Sequence, residues 1–128
     1  MTGWVGRRGL FHVGAAASTR SLVVEAEAAG CQVYVVSSID SKDALLDALA
    51  GQLRFPHWTG HNWDATADVL SDLAWLPPGP VTLIWADPES LAEADPAAYR
   101  MAVELLTYAA RSVRSRDLTV LLAHRGPY

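Results

Sequence analysis

The sequence predicts an α/β domain built on a parallel sheet. Three observations carry that prediction. Short apolar runs rich in β-branched residues alternate with stretches of helical periodicity. Each strand-like run is separated from the next by a helical stretch, the connection that parallel strands require. With 128 residues, 51% of them apolar and 19% charged, the chain has the material for one domain with its own core.

The elements follow in order. Leu10 to Val13 is a short apolar run between glycines and reads as a strand. Ser18 can cap a helix that runs to about Ala29, with Leu22, Val23, Ala26 and Ala29 at helical spacing and Gly30 closing it. Gln32 to Ser37 contains a β-branched run too short for a helix. Asp40 or Ser41 caps a second helix with Leu45, Leu46, Leu49 and Leu53 on one face, and Pro56 and Gly60 end it. A third helix spans Trp63 to about Ala74, before Pro77-Pro78-Gly79-Pro80 stops the chain. Val81 to Trp85 reads as a buried strand, and Asp87-Pro88 opens a turn or short helix. Asp95-Pro96 is a helix start, a capping residue followed by proline at the first helical position, and that helix reaches about Arg114. Leu118 to Leu122 is the last strand. Trp85, Tyr99 and Tyr108 read as core or its support.

Charge is distributed unevenly. The formal balance is −4, which argues against direct nucleic-acid binding. Between Phe55 and Tyr99 stand seven carboxylates and no Lys or Arg. Asp64, Asp68 and Asp72 recur every four residues and so share one stripe of the third helix, opposite Trp63, Thr66, Ala67, Leu70 and Leu73. Like charges at that spacing disfavour an isolated helix. Spacing alone fits an ordinary solvated face; the absence of a basic neighbour to relieve the repulsion favours a ridge built to meet a cationic surface. Trp58 and Trp75 flank it and are candidate interface anchors.

Other chemistries fit less well. His57, His61 and Asp64 could suggest a metal-assisted hydrolase, but Gly60 and Pro56 interrupt the helix that two histidines four apart would need. No nucleophile turn or phosphate-binding glycine loop is present, and no cofactor is expected. The single Cys31 excludes an internal disulfide and fits a cytoplasmic, reducing setting. No uncharged apolar run approaches the roughly 18 residues of a membrane span. Arg7-Arg8 before Gly9 to Ala17 resembles a secretion signal only faintly, since His12 interrupts it and a helix follows directly.

The segment Phe55-Pro56-His57-Trp58-Thr59-Gly60-His61-Asn62-Trp63-Asp64-Ala65-Thr66-Ala67-Asp68-Val69-Leu70 resembles the recognition segment of the barstar family, intracellular inhibitors of barnase-type ribonucleases. The shared pattern is Pro, an aromatic, Gly-x-Asn-x-Asp-Ala, then Asp four residues on and Leu. Flanking strands and helices extend the likeness from about Gln32 to Ala123. The resemblance implies a three-stranded parallel sheet with helices packed on it. It implies that the third helix and its preceding loop plug the active site of a secreted or toxin ribonuclease of guanyl type. Asp68 would stand in for an RNA phosphate among the enzyme's arginines and catalytic histidine. Asp64 matches a second interface carboxylate, Gly60 and Asn62 the loop on the guanine side, and Trp58 an interface aromatic. Asp72 would sit nearer the rim.

The chain departs from the family at three places. Thr59 replaces the loop's second aromatic, Ala67 the tryptophan before the main carboxylate, and Ala110 falls where the last helix carries an acid. These departures admit a different nuclease toxin as partner. The expected organisation is a single domain over residues 1–128: a core over 31–123, and a β-α extension over about 1–30 that lengthens the sheet beside Val33 to Ser37. The expected molecule is a non-enzymatic, cytoplasmic inhibitor, monomeric when free, with no membrane contact.

Overall fold

The computed structural model describes residues 3–127. Its four strands are β1 (Gly9–Val13), β2 (Gln32–Val36), β3 (Val81–Ala86) and β4 (Leu118–Ala123). All pair in parallel, in the order β1-β4-β3-β2. Five helices connect them: α1 (Thr19–Ala28), α2 (Lys42–Gln52), α3 (Trp63–Leu70), α4 (Glu89–Ala94) and α5 (Pro96–Ser112). None is long and apolar enough to cross a membrane.

Three expected caps form, and Asn62 supplies a fourth that the sequence reading does not assign. Ser18 and Ser41 accept hydrogen bonds from the amides of Ser21 and Ala44 at 3.1 Å. Asn62 accepts from Ala65 at 2.8 Å and Asp95 from Ala98 at 3.1 Å. Each side chain satisfies an amide that the first helical turn leaves without a partner. Pro96 occupies the first position of α5, where its missing amide costs nothing.

Two expectations about the sheet are corrected. It has four strands, not three, and β1 lies beside β4 rather than beside β2. The reason is that both faces of the sheet are apolar. Leu83, Trp85, Val120 and Leu122 pack under α2 to α5, while Ile84, Leu121, Val33 and Val35 point to the opposite face. Steps from β2 to β3 to β4 advance in one direction and put their helices on one face. For crossovers of constant hand, a helix reaches the other face only if its connection runs the opposite way. Placing β1 beyond β4 does this, and α1 then lays Leu22 and Ala26, with Trp4, over Ile84, Leu121 and Ala123. The start of β1 is fixed by Arg8, which bonds the carbonyls of Arg111 and Arg116 at 3.1 Å and lies 3.4 Å from Asp117.

Cys31 is buried beneath α1, and Trp85 is fully buried with Tyr99 tilted against it at 5.8 Å. Tyr108 does not join the core. It is 61% exposed.

Candidate functional site

The site is built from the loop before α3, α3 itself and the turn after it. A turn closed by the Thr59 amide on the Pro56 carbonyl lifts Trp58 out of the surface, where it is 71% exposed. Gly60 is closely approached: a Cβ there would lie 3.0 Å from the Asn62 side-chain nitrogen and 3.3 Å from Ala65 Cβ, so those neighbours would have to shift by a few tenths of an ångström. Asn62 spends its side-chain oxygen on the α3 cap, so its structural part is to set where the helix begins. Thr59 turns inward, and its buried hydroxyl has no hydrogen-bond partner among the described residues.

α3 is only eight residues long and buries Thr66, Val69 and Leu70. Asp64 and Asp68 therefore face solvent. The helix ends earlier than its spacing suggests. Ser71 caps it, and Leu73 takes a left-handed backbone (φ 54°) that drives its side chain into the core. Asp72 thus lies in the turn and not on the helix, yet remains exposed and lines one groove with Asp68. That groove, of about 250 Å³, is walled by Trp58, Thr59, Gly60, Asp68, Asp72 and Trp75. Trp75 is held half-buried by its indole N–H, 2.9 Å from the Leu53 carbonyl, and by an edge contact with Phe55 at 6.2 Å.

Electrostatics separate these carboxylates from the rest of the acid-only segment. Arg125 reaches back to Asp87 at 2.8 Å and Glu93 at 3.0 Å, and its guanidinium holds the Asp87 carboxyl below the usual value. Glu89 lies 2.6 Å from His124, whose other ring nitrogen is 2.8 Å from His12. Asp95 is spent on the α5 cap. Among the described residues, Asp64, Asp68 and Asp72 have no ion-pair partner. Asp64 gains from the positive end of the α3 dipole, but Asp68, in the last turn, does not.

The structure does not assemble His57, His61 and Asp64 into one site. His61 turns to Asp47 at 2.9 Å and Asp43 at 3.9 Å on α2. No described group of three His, Cys, Asp or Glu side chains is placed to hold a metal. Ala110, the position assigned to a last-helix contact, is fully buried and belongs to the core. The part of α5 that does border the site is Met101, Glu104 and Tyr108, across a second groove from Asp64. A helical wheel started at Pro96 would have found it. Ala98, Ala102, Leu105 and Ala109 are buried, which leaves the other three on the outer stripe.

Residues 32–124 match the family model described as Barstar (barnase inhibitor). No curated protein matches the chain. A chain in the structure of Drosophila ORC bound to AT-rich DNA and Cdc6 is similar at 17% identity with a TM-score of 0.49, over 93% of this chain and 41% of that one, too low a likeness to bear on function. The match leaves out β1 and α1 but contains the loop, α3 and the strands beneath them. On that match the chain belongs to the barstar (barnase inhibitor) family.

Proposed function

We propose that this protein inhibits a cationic ribonuclease of guanyl type by filling its active site with α3 and the preceding loop. The observation that carries this reading is the set of three exposed carboxylates, Asp64, Asp68 and Asp72, without an ion-pair partner among the described residues and flanked by an exposed tryptophan. A site that cleaves RNA must be cationic to hold phosphate. A rigid anionic ridge is complementary to it before contact, which speeds encounter, and excludes substrate afterwards. Asp68 sits at the centre of the ridge and takes the phosphate position. Trp58, Gly60 and Trp75 shape the wall beside it, and Asn62 sets its register. The protein performs no chemistry of its own. It acts in the cytoplasm of the producing cell, a compartment that a free buried thiol suits.

A second reading keeps the mechanism and changes the partner. Thr59 and Ala67 remove two aromatic contacts of the family pattern, which favours a nuclease toxin of different surface. Both readings are tested by titrating the purified protein into a guanyl-type ribonuclease and following RNA cleavage at several salt concentrations. Stoichiometric loss of cleavage, with association slowing as salt rises, supports the first. Unimpaired cleavage at excess inhibitor refutes it and leaves the second.

A further inference from the structure

A chain of three side chains joins β1, which lies outside the family match, to the strands and helices within it. Glu89 Oε2 lies 2.6 Å from His124 Nδ1, and His124 Nε2 lies 2.8 Å from His12 Nδ1. The two rings are stacked, with centroids 5.0 Å apart. Strand register explains the meeting. Leu10 and His12 alternate onto the α5 face of β1, as Val120 and Leu122 do on β4. His124 continues that face just past β4, and its amide donates to the Val13 carbonyl at 2.8 Å. His124 is buried, whereas His12 is exposed. His12 borders a cavity of about 310 Å³ together with Tyr99, Arg100, Val103 and Glu104. The cavity lies at the carboxyl end of β1. There the connection from β1 leaves for the α1 face and the connection from β3 leaves for the α5 face, the position at which open parallel sheets take ligands.

The order of the chain fixes which nitrogens carry protons. Burial works against the Glu89 charge, but hydrogen bonds from His124 and from backbone amides outweigh it and hold the carboxyl below its usual value, so it is ionised at neutral pH. An ionised carboxylate only accepts, so His124 Nδ1 donates to it. With both rings neutral, His124 Nε2 is then an acceptor, His12 Nδ1 is its donor, and His12 Nε2 carries a lone pair. We propose that His12 is a phosphorylation site: its Nε2 takes a phosphoryl group from a small acyl phosphate whose phosphoryl oxygens are held by Arg100. Nε2 attacks phosphorus, the N–P bond forms, and the P–O bond to the acyl group breaks and releases a carboxylate. The charge left on the ring is discharged as the Nδ1 proton passes to His124 Nε2. The resulting imidazolium faces the Glu89 carboxylate, which stabilises it. Arg100 suits the phosphoryl group because its planar fork of donors matches two of the oxygens. A cavity of this size stands at the lower end of ligand pockets, which favours a small donor. Glu89 and His124 act as positioning residues. The chain is the substrate here, modified once, and turns nothing over. The inference does not depend on the ribonuclease reading.

The test treats the full chain with acetyl phosphate at neutral pH and follows intact mass, with the modified residue mapped under alkaline conditions that preserve phosphohistidine. One acid-labile phosphoryl group should appear on His12, and faster than on the exposed His57 and His61. An unlabelled parent, or equal labelling of these three histidines, overturns the proposal. Glu89→Gln keeps an acceptor for His124 but removes the charge. It should slow labelling about 10- to 100-fold, the worth of one hydrogen bond to a charged group, while half-saturation by acetyl phosphate stays nearly constant. Arg100→Gln should instead raise half-saturation, with part of the loss restored by Arg100→Lys. Glu104→Gln should lower it, because one negative group leaves the cavity. Thermal melting checks each variant. Labelling of Glu89→Gln at the parent's rate would show that the three side chains only fasten β1 to β4, and the proposal falls. If Glu89→Gln does not fold, Arg100→Gln decides, since that side chain is exposed and outside the hydrogen-bonded chain; unchanged half-saturation there overturns the site.

Discussion

Replacing Asp68 by alanine should make the free protein more stable and the inhibitor much weaker. Asp68 is exposed, sits in the last turn of an eight-residue helix and has Asp64 and Asp72 four residues away on either side. Relief of the two like-charge neighbours is worth about 0.2–0.5 kcal/mol each, discounted for Asp72, which has left the helix. Alanine is a better helix former than aspartate by about 0.5 kcal/mol, and an acid is lost from the unfavourable end of the dipole. The gain is about 1 kcal/mol, or a rise of roughly 3–5 °C in melting temperature for a chain of this size. Binding moves the other way. Stripping one member of a desolvated, hydrogen-bonded charge pair costs roughly 2–5 kcal/mol, a range to which the prototype complex of this family itself contributes, or about 30- to 4,000-fold in Kd. The assay is inhibition of RNA cleavage by parent and variant at low and physiological salt, with melting curves of each alone. Equal inhibition by the variant would reduce the ridge to a solvated face. A clear fall in melting temperature would show that Asp68 holds the fold and was misread.

Four further outcomes are expected. Trp58→Ala should leave melting unchanged, since the ring is 71% exposed, and weaken inhibition at least about tenfold if it is an interface anchor; surface plasmon resonance would read this as faster dissociation. Gly60→Ala should cost about 1 kcal/mol of stability by pushing Asn62 off the α3 cap, measured by urea unfolding. Removal of residues 1–30 should cause aggregation, because it bares Ile84 and Leu121 on one face and the outer edge of β4; a soluble truncated protein with a sharp thermal transition would contradict the packing described. Stability should also fall in mild acid: burial, and then the neighbouring His124, hold the His12 imidazole below its ordinary 6.5, so the native state favours the neutral ring. That contribution is complete above pH 6.5 and is lost as pH falls through the depressed value. Melting temperatures from pH 8 to 5 should show the decline, and His12→Gln should flatten part of it.

Much of this molecule is local and was therefore legible in one dimension. Ser18, Ser41 and Asp95 announce their helices because a cap is a contact between residues three apart, and Asn62, read only as a loop residue, makes the same local contact. The Asp64–Asp68 stripe follows from helical period alone. Even the second apolar face had a signal: Val81 to Trp85 and Leu118 to Leu122 are apolar at nearly every position rather than at alternate ones, the pattern of strands covered on both sides.

What the sequence determined by itself is the identity of the elements, their parallel sense, the acidic ridge and the family. Tertiary structure alone decided which neighbour each element has. β1 could pair with either edge as far as its own residues go; the need to cover Ile84 and Leu121 with α1 sent it to β4. The acid-only segment looked continuous until Arg125, more than thirty positions away, took Asp87 and Glu93 out of it. Tyr108 looked like core because tyrosine usually buries its ring, and only the docking of α5 against α3 left it outside. Side-chain periodicity specifies which face of an element is apolar. It carries no record of what that face will meet, because that choice is made by the whole set of apolar faces seeking cover together.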